Sequence, residues 1–290
     1  MSKFQQLGGE TPERVVVLGG TGFIGSEIVS RLNEKNLSVV SVGKKKIDLL
    51  EQNAGEMLLD LIKPYDALIL ISALAPCKNL IMLQKNLQMV SAVCRALQKC
   101  PPKHVIYVSS DAVYKDSRLP ITETSCAEPS SLHGVMHLAR EIAIKDCYSG
   151  PLTVIRPTLV YGSNDPHNGY GPNKFRRLVA SGKSITLFGN GEELRDHVYV
   201  GDVAELICRV VLTQNVGIFN AVSGEAVSFY ELALCIGSDF GSKVPVICTE
   251  RNGEMPHGGY RVFDNSAVLK AFPGFTFKSW REGMQLISGK

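Results

Sequence analysis

Several signals are missing from this chain of 290 residues. No apolar run approaches the roughly 18 to 20 residues of a membrane span. The opening stretch, MSKFQQLGGETPER, lacks the apolar core of a secretory signal. Charge of one sign is scarce in excess: 31 Lys and Arg against 28 Asp and Glu give +3. That balance is too mild to argue for a nucleic-acid partner or an anionic membrane. No C-x-x-C pair occurs among the eight scattered cysteines, which therefore read as reduced thiols and not as a disulfide or zinc framework. Internal repeats, low-complexity tracts and coiled-coil heptads are absent too. What is present is a chain 44% hydrophobic and 20% charged, able to bury a core in one large domain or two small ones. A soluble, cytoplasmic globular protein is the expectation.

The first half alternates short β-branched runs with helical spacings. Arg14–Leu18, 37–42, Ala67–Ile71, His104–Ser109 and Leu152–Arg156 read as strands, the first closed by glycines. Between them, residues 23–32, 51–62, Asn79–Lys99 and Ser131–Tyr148 carry apolar residues at helical intervals. Strand and helix in strict alternation predict an α/β, doubly wound parallel sheet with helices on both faces. After residue 162 the rhythm breaks, and 163–174 is a long Gly/Pro/Asn/Asp loop. The expected organisation is a dinucleotide-binding domain over 1–162, with 196–223 returning to it, and a smaller interleaved lobe from 163–195 and 224–290.

Gly19-Gly-Thr21-Gly22-Phe23-Ile24-Gly25 lies between the first strand and the first helix. Gly19 permits a tight turn, Gly22 lets backbone approach a pyrophosphate, and Gly25 lets helix and strand pack closely. The free N–H groups at the helix start, around Thr21, Phe23 and Ile24, then face the phosphates. The second strand ends Gly43-Lys44-Lys45-Lys46, without the acidic residue that usually accepts the ribose hydroxyls of NAD. A lysine pairs with a 2′-phosphate, so NADP is favoured over NAD. Asp48 is a candidate acceptor for the adenine amino group.

With this loop, Val108-Ser-Ser-Asp-Ala-Val-Tyr114, Ile155-Arg-Pro-Thr-Leu-Val-Tyr-Gly162, Leu194-Arg-Asp-His-Val-Tyr-Val-Gly-Asp-Val203 and Phe277-Lys-Ser-Trp-Arg-Glu-Gly283, the chain resembles the extended short-chain dehydrogenases/reductases. These are the NAD-dependent epimerase/dehydratase proteins that act on nucleotide sugars. The resemblance implies a Rossmann-type sheet, cofactor contacts from Ala73 and Asn86, and a homodimer built on the two long helices. It also implies a Ser/Thr, a Tyr acid–base and a Lys. Ser110 takes the first place. The pattern Pro-x-x-x-Tyr-Gly-x-x-Lys-x-x-x-Glu is met by Pro129-Ser-Ser-Leu-His133-Gly-Val-Met-His137-Leu-Ala-Arg-Glu141. The frame holds, and both reactive residues are histidine.

An imidazole with an ordinary pKa near 6.5 shuttles protons with less tuning than a phenol. His133 is thus the candidate acid–base and His137 the ribose binder. Three competing readings stay open: a metal held at i, i+4 without an evident third ligand, a catalytic apparatus that has been lost, and replacement by Tyr114, Tyr161 or Tyr170. No metal is expected. The resemblance places Asp111, Asn173, Phe188, Arg195 and Arg261 on the substrate side, the arginines as phosphate clamps and Phe188 beside the base. Reduction of a 4-keto nucleotide sugar leads. An epimerase with tightly held NAD and a non-catalytic dinucleotide or nucleotide-sugar binder are the alternatives.

Overall fold

Buried strands in this chain are continuous apolar runs, and their packing sets the architecture. The computed structural model describes residues 5–6, 11–239 and 243–288. In chain order the elements are β1 Gln5–Gln6, β2 Arg14–Leu18, α1 Phe23–Glu34, β3 Ser38–Val42, α2 Ala54–Leu61, β4 Asp66–Leu70, α3 Leu80–Lys99 and β5 His104–Val108. There follow α4 Leu132–Cys147, β6 Leu152–Pro157, β7 Leu159–Tyr161, α5 Pro172–Ala180, β8 Ile185–Phe188, β9 Leu194–Tyr199, α6 Val200–Thr213 and β10 Asn215–Ala221. The chain closes with β11 Ala226–Ser228, α7 Phe229–Asp239, β12 Val246–Thr249, β13 Tyr260–Arg261, α8 Ser266–Ala271 and α9 Trp280–Ser288.

The doubly wound sheet is present, in the order β1-β10-β6-β5-β4-β2-β3. All its pairings are parallel except that of β1 with β10. Every residue of β4 and β5 is buried, which is why neither alternates polar with apolar. On one face α1, α6 and α8 pack Ile28, Leu32, Ile207, Val211 and Val268 onto the sheet. On the other α2, α3 and α4 pack Leu58, Val93, Leu97 and Ile144. The expected helix over 51–62 is shorter than its spacing suggested. Asp48 Oδ1 accepts the Leu50 N–H at 3.1 Å and the Glu51 N–H bonds the Asp48 carbonyl. That turn uses the first residues before α2 begins.

A second group of strands surrounds β9, which pairs with β7, β11 and β13; β8 pairs with β12. Its own core holds Phe175, Ile185, Leu187, Phe229, Leu232 and Trp280. β7 joins this smaller sheet, while α6 packs on the main sheet and β10 runs within it.

Four contacts fasten α4 over the carboxyl ends of the central strands. Ser131 caps its first turn by accepting the Gly134 N–H. Glu141 accepts Ser109 Oγ at 2.5 Å and a forked pair from Arg156, Nε at 3.0 Å and Nη2 at 2.6 Å. Removing one member of such a buried pair costs about 3–5 kcal/mol, so the register of α4 against β5 and β6 is firmly set. Last, Gly134 lies so close to the Asp111–Val113 turn that a Cβ there would stand 2.0 Å from the Ala112 carbonyl oxygen.

Candidate active site

The sheet order reverses between β2 and β4, and in open α/β sheets the crevice at such a point is where ligands bind. Here it opens into a cavity of about 940 Å³. Its wall includes the glycine loop from Gly19 to Gly25, Lys44, Asp48, Ala73, Ser110, Asp111, His133, His137, Asn173, Arg195 and Arg261. Three expected residues lie off the wall. Lys45 is on the exposed turn after β3. Phe188 is half exposed on β8 and leans on Tyr170 with ring centroids 5.4 Å apart. Asn86 is fully buried behind the wall, where it accepts the Leu74 N–H and donates to the Leu74 and Met82 carbonyls. It shapes the wall from the far side.

The glycine loop has the form an anionic dinucleotide requires. Gly19 sits at φ +95°, and a Cβ at Gly25 would stand 2.1 Å from the Gly19 carbonyl oxygen. Gly22 begins α1 with no side-chain cap and no acidic residue in the first turn, so the positive helix end is unneutralised. At the end of β3, a Cβ on Gly43 would meet Thr21 Oγ1 at 2.4 Å. The threonine occupies the space an acidic side chain would need. Lys44 is largely exposed and 3.4 Å from Asp48.

The histidine pair stands edge to face, ring centroids 4.7 Å apart. The Cys77 N–H points at His133 Nδ1, 3.4 Å away, so the neutral ring carries its proton on Nε2. His137 Nδ1 is 2.8 Å from the Tyr107 hydroxyl. Burial pushes that phenol up to about 12, so it stays protonated and able to donate; with Tyr107 as the donor, the His137 proton sits on Nε2 as well. Burial lowers the His133 pKa, Asp111 opposes this and His167 adds to it. His137 is held well below its ordinary value, chiefly by burial, then by His133 and Arg140. Both imidazoles are therefore neutral near pH 7. Ser110 caps the Asp111–Val113 turn through the Ala112 N–H and donates to Asp111 Oδ1 at 3.3 Å.

The tyrosines considered as substitutes are poor acids here. Tyr114 donates to Asn220 Oδ1 at 2.7 Å, and burial pushes it up to about 12. Burial also raises Tyr161 and Tyr170, neither of which is on the cavity wall. Among the described residues no cluster of His, Cys, Asp and Glu is arranged to hold a metal.

On the substrate side the two arginines differ. Arg261 is consumed by Asp111 Oδ2 at 3.2 Å, Asp116 Oδ1 at 2.8 Å and the Asp111 and Tyr114 carbonyls. Arg195 bonds Glu193 and the Pro256 carbonyl through Nη2, and its buried Nη1 has no partner. A buried guanidinium nitrogen left open beside a cavity fits an anionic group. The Asn173 amide is engaged by Gly162 N and the Val160 carbonyl, so it shapes the wall. Residues that the sequence reading passed over are Tyr107 and Cys77, which bond the histidines, Arg140, which lies over the Tyr107 ring, and His257, which bonds Asp116 at 2.6 Å beside the cavity.

His197 lies two residues beyond Arg195 on β9. It is fully buried against Phe229, with both ring nitrogens unpartnered. Burial, aided by Arg195, pushes it down to about 3. The unfolded chain then binds a proton near pH 6.5 that the folded chain refuses. This contribution to stability is complete above pH 6.5 and is lost as pH falls toward 3, by up to about 1.4 kcal/mol per unit. His104, also buried and lowered to about 4, adds the same sign. His197→Leu is expected to shrink the drop in urea midpoint between pH 7 and pH 5; an unchanged drop counts against the assignment.

The model of the NAD dependent epimerase/dehydratase family matches residues 15–221. The chain belongs to this family. Among family relatives, a "putative UDP-glucose 4-epimerase" of Methanocaldococcus jannaschii is 27% identical over 275 residues, covering 86% of this chain and 88% of the relative. The crystal structure of UDP-glucose 4-epimerase with UDP-glucose from Thermotoga maritima superimposes with a TM-score of 0.84 at 22% identity, covering 95% of this chain and 97% of that one. A GDP-L-fucose synthetase from Naegleria fowleri bound to NADP superimposes with a TM-score of 0.80 at 18% identity, covering 98% and 94%. At these identities the superpositions speak to the fold.

Proposed function

We propose that this chain is an NADPH-dependent reductase of a 4-keto nucleotide sugar. The observation that carries this reading is the end of β3, where Gly43 is filled by Thr21 and is followed by the exposed Lys44. A strand end that carries no carboxylate itself and is followed by Lys44, which also reaches Asp48 at 3.4 Å, suits the 2′-phosphate of NADP, and NADPH is a reductant that exchanges at each turnover. The loop Gly19–Gly25 and the open start of α1 would hold the pyrophosphate, and His137 Nε2 would meet the nicotinamide ribose. A bound NADPH would supply the hydride. His133, as imidazolium, would deliver the proton to the sugar oxygen, with Ser110 orienting that oxygen. Arg195 Nη1 would grip the diphosphate.

A second reading, epimerisation, is favoured by the neutral state of His133. An unprotonated imidazole would take the C4 hydroxyl proton as hydride leaves to a bound NAD, and would return that proton to the same oxygen when the hydride comes back to the other face of the carbon. NADPH deuterated at its transferable position, incubated with 4-keto nucleotide sugars, separates the readings. Label in the product supports the reductase. No label, with tight NAD after purification and interconversion of C4 epimers, replaces it with the epimerase. Binding of both ligands without any turnover replaces both with a non-catalytic binder.

Lys44→Glu is expected to shift the NADPH-to-NADH affinity ratio by about tenfold or more toward NADH, near 1.4 kcal/mol. A ratio that does not move removes Lys44 from cofactor selection. The reading also includes a homodimer through α3 and α4, where Leu87, Val135 and Ile142 are exposed. Sedimentation of the intact protein tests it.

A further inference from the structure

The least economical side chain in the molecule is Arg140. It projects from α4 one turn beyond His137 and is fully buried. Its Nη2 donates to the Ser72 carbonyl at 2.7 Å, and its Nη1 approaches Asn86 Oδ1 at 3.5 Å and Met136 Sδ at 3.9 Å. Its Nε has no partner. Among the described residues no carboxylate is paired with it; the adjacent Glu141 is taken by Arg156 and Ser109. A guanidinium is charged at any pH the protein meets, and burying a charge without a counter-charge is costly. Methionine or leucine would fill the same space without that cost. Such a group is kept for what its charge does.

Its surroundings say what that is. The guanidinium lies over the Tyr107 ring, 5.3 Å from its centre, and the Tyr107 hydroxyl is hydrogen-bonded to His137 Nδ1 at 2.8 Å. A cation over the ring makes the phenol a stronger donor and disfavours a proton on the imidazole beyond it. The same side chain, with Asn86, holds residues 72–74. This strip continues along the cavity wall to Cys77, whose N–H fixes His133 Nδ1. One buried cation therefore lies against Tyr107, the partner of His137, and bonds the start of the strip that leads to Cys77, the partner of His133.

We infer that Arg140 is a positioning residue: its buried charge over the Tyr107 ring makes Tyr107 the donor to His137 Nδ1 and thereby keeps the His137 proton on Nε2, facing the cavity. The inference rests on the proposed site but is tested without turnover. The groups facing His137 are His133 and Arg140 from α4 and Tyr107 from β5; Asp111 acts on His133.

The test is a histidine side-chain ¹⁵N NMR titration of the intact protein from pH 5 to 8. Wild type is expected to show His137 neutral, with the Nε2–H tautomer, across the range. Arg140→Gln keeps a donor for the Ser72 carbonyl and removes the charge; its His137 is expected to show a mixture of the Nδ1–H and Nε2–H tautomers. Arg140→Lys keeps the charge and is expected to stay close to wild type. Tyr107→Phe leaves Arg140 in place, and its His137 is expected to lose the single tautomer. The inference is overturned if the Gln and Lys variants show the same His137 tautomer. Where the Gln variant does not fold, an unaltered His137 tautomer in Tyr107→Phe overturns it equally. Failure of the reductase assay with these NMR results intact would reject the proposed reaction and leave the role of Arg140 standing.

Discussion

His133→Ala is expected to lower the rate of label transfer from NADPH to a 4-keto nucleotide sugar by about 10²–10⁴-fold, the worth of one positioned acid–base group. Dinucleotide affinity should change little, because His133 stands on α4 and not on the glycine loop. The pH profile carries a second signature. Reduction consumes a proton, so the working form of His133 is the imidazolium, and burial keeps its pKa below 6.5. The rate of reduction should therefore fall about tenfold per pH unit above that value. The reverse oxidation, which needs the neutral ring, should rise as pH increases through it and then level. A phenol acid with an ordinary pKa near 10 would leave reduction flat over pH 6.5 to 8. A flat profile, or full activity in His133→Ala, would remove the imidazole from the chemistry. The remaining candidates would be weak ones, since Tyr114 sits at about 12.

The parts of this site that the sequence disclosed are those fixed by spacing along one element. Gly19, Gly22 and Gly25 had to be small because a turn and a close approach recur at set intervals, and the structure has those approaches. Gly134 and Glu141 kept the register in which His133 and His137 fall on one face of α4, and both rings reach the cavity. Residues whose role depends on a partner far along the chain were harder. Arg261 was read as a phosphate clamp, yet Asp111 and Asp116, about 150 positions earlier, absorb its donors. Phe188 alternates with the buried Ile185 and Leu187 on β8 and points outward with Thr186, which a run of four residues did not reveal. Arg140 had a legible cue, a cation one turn from His137. Only the fold shows that no carboxylate among the described residues answers it, because Glu141 next door turns to Arg156 instead.

Close backbone contact, more than any single side chain, sets the distance between His133 and Ser110, and Gly134→Ala tests this. The added methyl would stand 2.0 Å from the Ala112 carbonyl oxygen, with Pro129 Cβ at 2.7 Å. Neither the carbonyl nor the capped turn that carries it can swing aside like a flexible side chain. The start of α4 must retreat, and His133 retreats with it. Overpacking of this kind costs about 1–3 kcal/mol, set against about 1 kcal/mol gained from alanine's helix propensity. A shift near 1 Å at a reacting group costs about 10²-fold in rate. The expected result is a variant with a modestly lowered melting temperature, near-normal NADPH binding and activity down by about 10²-fold. Gly237→Ala, in α7 and with ordinary contacts of 3.6 Å and beyond, controls for the general effect of alanine in a helix and should hold its activity. If Gly134→Ala kept its activity too, the approach of α4 to the Asp111–Val113 turn would not be what places His133. The imidazole would then have to be held through the Cys77 N–H alone, and substitutions that loosen residues 72–77, Asn86→Ala among them, should abolish activity where Gly134→Ala did not.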